Sequence, residues 1–180
     1  MKTSHFLLAK AMFALVAVIG VSGCAGPGKV TGGGWIPSTS GDPGDKANFG
    51  FNAAQCDVGT IRGRFDYHDQ NAAGFAAAGG VKMNGPVTET GLCGVAPFTG
   101  GGPCGFLFCP DGSYVITVEY SSTNPNLPGD GTAFACVTDN GEGINATSAD
   151  MGLVVVPTGP YAGYFNSGLV QGNIRAHDCK

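Results

Sequence analysis

A chain of 180 residues, 43% of them hydrophobic, is long enough for one ordinary domain with a real core. Only 12% of positions are charged while glycine fills 32, which argues against a helical architecture, since glycine inside a helix costs about 1 kcal/mol relative to alanine. The net charge of −4 opposes the phosphate neutralisation on which nucleic-acid binding depends, so nucleic acid is not an expected partner.

Residues 1–23 carry Lys2 and Lys10, then the uncharged run AMFALVAVIG, then VSG before Cys24. A basic start, a short apolar stretch and small residues at the end are the pattern of a cleaved export signal. The run is too short to span about 30 Å of hydrocarbon as a permanent helix. VSGC resembles a lipobox, which implies that Cys24 becomes the lipid-modified first residue of the mature protein and anchors it to a membrane of the cell envelope, on the periplasmic side or the outer surface. All thirteen acidic residues but only seven of the nine basic ones lie beyond Cys24, so the mature chain would carry −6. Residues 24–45 are rich in glycine, proline and serine and are expected to form a flexible tether, with only VTGGGWI suggesting order. Trp35, the sole tryptophan, is expected to be a core or edge anchor, with ligand stacking as the alternative.

Residues 46–180 are expected to form the folded domain. Over 60–69 the pattern has period two: Ile61, Gly63, Phe65 and Tyr67 share one face, and Arg62, Arg64, Asp66 and His68 the other. The same alternation runs through 113–120, with Tyr114, Ile116, Val118 and Tyr120 on one side. Further strands are predicted at 47–53, 81–87, 105–109, 132–139, 151–156 and 173–178, separated by glycine, proline or Asx turns. The alanine-rich stretch 71–78 is the one helical candidate and is too short to stand alone. About eight short strands predict an all-β, single-domain antiparallel β-sandwich or barrel with glycine-rich loops.

With Cys24 assigned to the lipid, Cys56, Cys93, Cys104, Cys109, Cys136 and Cys179 remain. An even set in an exported chain predicts a disulfide framework, in which 15 pairings are open. A thiolate metal site is the weaker reading, because no CxxC accompanies them.

Several short blocks, in order, resemble the small secreted bacterial post-COAP domain: VTGGGWI at 30–36, KANFGF at 46–51, GRFDYHD at 63–69, the strand at 81–87, TDNGEG at 138–143 with Asp150 after it, and GNIRAH at 172–177. The resemblance covers nearly the whole mature chain and implies an extracellular all-β module without assigned catalytic residues. The cysteine-bearing segment 92–109 departs from the family's usual pattern.

Three constellations carry chemistry. Asp139, Asn140, Glu142 and Asp150 supply hard oxygen atoms of the kind calcium takes, against a plain reading in which Asn140–Gly141 forms a type I′ turn. Asp66, His68 and His177 would suit a transition metal or proton transfer if the two histidines met across a sheet, against a reading as solvated polar faces. Tyr161, Tyr164 and Phe165 form an aromatic group that suits either a core or a sugar-stacking surface. No GxSxG elbow and no phosphate-loop ending is present. The expected function is a non-enzymatic envelope lipoprotein serving as a structural or ligand-binding surface module, without a cofactor unless calcium. Its expected partners are a membrane, through the anchor, and a glycan or a surface protein. The alternatives are a metal-dependent hydrolase using Asp66, His68 and His177, and a calcium-dependent adhesion or glycan-binding module.

Overall fold

The computed structural model describes residues 28–57, 59–95, 98–99, 102–104, 109–141 and 150–179. Residues 1–23, expected from the sequence to be an export signal, and Cys24, Glu142 and the predicted strand residues 105–108 lie outside them. The described residues form nine strands: β1 (Gly28–Pro37), β2 (Lys46–Asp57), β3 (Thr60–Asp69), β4 (Val81–Leu92), β5 (Tyr114–Ser122), β6 (Asp130–Thr138), β7 (Met151–Val155), β8 (Phe165–Leu169) and β9 (Gln171–Asp178). A single 3-10 turn at Ala76–Ala78 takes the place of the short helix considered for the alanine-rich stretch. No helix among the described residues is long and apolar enough to cross a membrane.

All strands pair antiparallel in one sheet ordered β8-β7-β6-β5-β4-β3-β2-β1-β9, which curls into a nearly closed barrel. The alternation read from the sequence sets the inside and the outside. Phe65 and Tyr67 on β3, and Ile116, Val118 and Tyr120 on β5, point into the main core with Val30, Ile36, Phe51, Val81, Met83 and Ile174. Bulges in β2 after Ala54 and in β4 after Val87 add local twist, a common device where a sheet must close. Phe75, Tyr161 and Tyr164 stack edge-on at one end of the barrel, with Tyr120 against Tyr161.

Two expectations change here. The tether does not extend over 28–45: residues 28–37 are strand β1, hydrogen-bonded to β2 on one side and β9 on the other. Its glycines are packing space. A Cβ on Gly32 would stand 2.7 Å from the Phe51 ring, and one on Gly34, at φ +151°, would stand 2.4 Å from the Gln171 carbonyl oxygen. β8 was not predicted because its pattern is inverted, with Phe165 and Leu169 half-exposed and Asn166 buried.

Three disulfides join all six cysteines beyond Cys24: Cys56–Cys179, Cys93–Cys104 and Cys109–Cys136. The last two belong to a second, smaller cluster with Val115, on the outer side of β5 and β6, so the cysteine-bearing insertion is fastened over the barrel wall. Three disulfides mark a domain that folds in an oxidising compartment.

Candidate functional site

Antiparallel register places directly paired residues on the same side of a sheet, so the outer face of β9-β1-β2-β3-β4 resolves into rows. One row runs Gln171, Trp35, Asn48, His68, Lys82. The next runs Asn173, Gly33, Gly50, Asp66, Asn84. Beyond it lie Arg175, Thr31, Asn52 and Arg64. Gly33 and Gly50 are direct partners, and a Cβ on Gly50 would meet nothing within 4 Å. Two adjacent strands therefore present bare backbone at one level while their neighbours carry side chains. The result is a trough that deepens into a hollow of about 290 Å³ between β2, β3 and β4, where Asn48, Gly50, Asp66, His68, Lys82 and Asn84 converge.

Each lining side chain is held by its strand. The Arg64 Nη2 donates to Asn84 Oδ1 at 2.8 Å, and the Arg64 amide donates to Asn52 Oδ1 at 2.7 Å. The Lys46 ammonium sits 4.5 Å from the centroid of the half-buried Trp35 ring, a cation–π contact at the rim of the trough. The His68 Nε2 is buried yet has no hydrogen-bond partner among the described residues. Burial lowers the His68 pKa from its ordinary 6.5, and the Lys82 charge lowers it further against an opposing pull from Asp69. The ring is neutral at pH 7.

Trp35 thus belongs to neither the core nor a sheet edge; it stands on the outer face of β1, between β2 and β9, beside the glycine floor. Asp66 and His68 share that face, as the alternation predicts. His177 shares it too but does not meet His68: it pairs with Lys29 on the far side of β1, six residues along and three strands across, and its Nε2 lies 3.1 Å from Thr31 Oγ1. At about 3.3 Å per residue and 4.8 Å per strand the two imidazoles are roughly 24 Å apart. No group of three His, Cys, Asp or Glu side chains that could hold a metal occurs among the described residues.

Asp69, the third acidic or basic residue at that strand end, points inward and is fully buried. Its carboxyl accepts from Ser38 Oγ at 2.6 Å and from Tyr164 Oη at 2.7 Å. Tyr164 spends its only proton there, so Tyr67, 2.7 Å away, must donate to Tyr164, and Asn166 Nδ2 donates to Tyr67 at 2.9 Å. Burial drives the pKa values of Tyr67 and Tyr164 well above the ordinary tyrosine value, which keeps both phenols protonated as this chain of donors requires. Tyr161 and Tyr164 are therefore core residues, whereas Phe165 is half exposed.

The acidic pair near β6 serves the seam of the barrel. Asp139 accepts the amides of Gly141 and Ala176 at 3.0 and 2.7 Å, and Asp150 accepts those of Asn140 and Ile174 at 2.9 and 3.0 Å. All four carboxylate oxygens hold backbone N–H groups, two of them from β9. Asn140 does not take the positive φ that a type I′ turn needs at its first central position, while Gly141 does, at 88°.

The rows, the glycine floor and Lys82, Asn48 and Asn84 as lining groups were not singled out from sequence; knowing which strands neighbour one another was the missing signal. No family model matches the chain, and no curated protein or solved structure matches it either.

Proposed function

We propose that this protein is a non-enzymatic, exported ligand-binding module, anchored to the cell envelope through Cys24, that takes a polar ligand in the trough on the outer face of β1–β4. The observation that carries this reading is the hollow itself, floored by Gly50 and lined by hydrogen-bonding side chains from three strands, with the buried His68 Nε2 left unengaged. An aromatic at the rim and asparagine and aspartate side chains beside it suit a saccharide. The resemblance to secreted post-COAP modules points the same way, towards a surface domain without chemistry of its own.

The test is a glycan and peptidoglycan binding screen of the wild-type protein beside Gly50→Val. Gly50 is not at positive φ, and its Cβ position is open, so valine fills the trough and suits the strand without disturbing the fold. Loss of binding in Gly50→Val with an unchanged melting temperature supports the trough, whereas equal binding by both proteins removes it as the site. The anchor is tested separately. Cys24→Ser should move the protein from the membrane fraction to the soluble one, and unchanged fractionation rejects lipidation.

A further inference from the structure

Cations are not spread over this acidic chain. Of the seven Lys and Arg residues beyond Cys24, Lys29, Lys46, Arg62, Arg64, Lys82 and Arg175 all stand on the outward side of β9-β1-β2-β3-β4, and the seventh, Lys180, lies outside the described residues. Asp66 is the acidic side chain in the rows beside the glycine floor, and Glu89 also faces outward on β4, beyond the bulge after Val87. Asp57 and Asp178 stand at its end beside the Cys56–Cys179 bridge, and Asp42 and Asp45 lie in the turn before Lys46. Outward-facing acids gather elsewhere on the wall: Glu89 accepts from Thr117 on β5, Glu119 from Thr132, and Asp130 from Ser121.

From this segregation we infer that the ligand of the trough is an acidic polysaccharide, a sugar polymer bearing carboxylate or similar anionic groups. The inference rests on the proposed binding function and adds the class of ligand. The Gly33–Gly50 floor runs between cations in the two flanking rows, Arg64 with Arg175 on one side and Lys82 on the other, about 13 Å apart at four residues of strand. A chain of sugars lying on the bare backbone meets Trp35 through a ring face and the flanking cations through its acidic groups. A positive strip on a molecule of opposite net charge also draws polyanions to this one face and repels them from the others. The other polyanions fit less well. A membrane surface favours protruding aliphatic residues, but the exposed Met151, Phe165 and Leu169 lie on β7 and β8, outside the grid. Single-stranded nucleic acid is held by successive aromatic platforms, and here one indole stands alone.

The experiment measures binding of the purified protein to alginate, dextran, phosphatidylglycerol vesicles and single-stranded DNA at about 50 mM and about 500 mM salt, conditions that shorten the screening length severalfold. Alginate should bind, dextran much less, and the alginate affinity should fall steeply at the higher salt. Arg62→Ala/Arg64→Ala should weaken alginate about tenfold, as losing a charge-assisted contact does, while Glu119→Gln matches wild type. Gly50→Val should abolish binding. Dextran bound as tightly as alginate and without salt dependence would overturn the acidic class but leave the binding function standing. Vesicles or DNA bound in place of alginate overturn it in favour of those partners. Failure of every polymer to bind overturns both readings together.

Discussion

Asp69 continues the inward row of β3 after Phe65 and Tyr67, and its carboxyl is the terminus of a fully donated chain that begins at Asn166. Such a network is stable only when complete, because each member left unpaired inside the barrel loses its hydrogen bond without regaining water. Asp69→Ala should therefore lower stability by about 3 kcal/mol or more, and Tyr164→Phe by about 1–3 kcal/mol, measured by urea unfolding. A Tyr164→Phe protein as stable as wild type would show that the chain of donors contributes nothing. The period-two pattern already put Asp69 on the core side, yet a carboxyl group at a strand end reads as solvated; its partners Ser38 and Tyr164 are 31 and 95 residues away and leave no local signature. His68 makes the opposite case, an outward residue whose burial was not legible. Its folded pKa lies below the ordinary 6.5, so the unfolded chain binds the proton more tightly. Its contribution is whole above pH 6.5 and is lost as the pH falls from there towards the folded value. Wild type should consequently lose more stability than His68→Gln between pH 7 and about pH 5, read from melting temperatures at each pH; parallel curves would mean that His68 titrates alike in both states.

Among the elements, β3 and β5 were readable because hydrophobic alternation and burial coincide in them, whereas β1 and β8 were not. In β1 Gly32 and Gly34 occupy strand positions where a neighbouring ring and a carbonyl leave no room for a Cβ, so the composition imitates a linker. In β8 the buried residue is Asn166, tied to the Pro37 carbonyl and to Tyr67, so polarity and burial run against each other. β9 poses a further problem, since it ends the sheet order and only β1 pairs with it along its length. Asp139 and Asp150 supply acceptors to Ala176 and Ile174 that a tenth strand would otherwise provide. Asp150→Ala should accelerate amide hydrogen exchange at Ile174 and Asn140 and lower the melting temperature, with calcium absent or present. If instead calcium raises the wild-type melting temperature and the substitution abolishes that rise, the pair holds a cation and the seam is its second duty.

At the scale of the molecule, the wall is divided by what covers it: cations and bare glycine backbone on β9-β1-β2-β3, a disulfide-fastened insertion over β5 and β6, and exposed apolar residues on β7 and β8. Six cysteines announced a framework, but 15 pairings cannot be narrowed without the sheet order that brings the end of β2 beside the end of β9. That order also ranks the bridges. Cys56–Cys179 closes 123 residues, Cys109–Cys136 closes 27 and Cys93–Cys104 closes 11. Loop-closure entropy then gives about 5, 3.5 and 3 kcal/mol of constraint on the unfolded chain, respectively. Replacing both cysteines of each pair by serine tests the ranking by thermal unfolding under non-reducing conditions. The Cys56/Cys179 protein should melt lowest, since it loses the largest constraint together with the pin on a strand that is paired along one side only. The Cys93/Cys104 protein should melt highest of the three, because that bridge closes the shortest loop. A lower melting temperature for Cys93/Cys104 than for Cys56/Cys179 would mean that the insertion, and not the closure of the strand ends, limits the stability of the barrel.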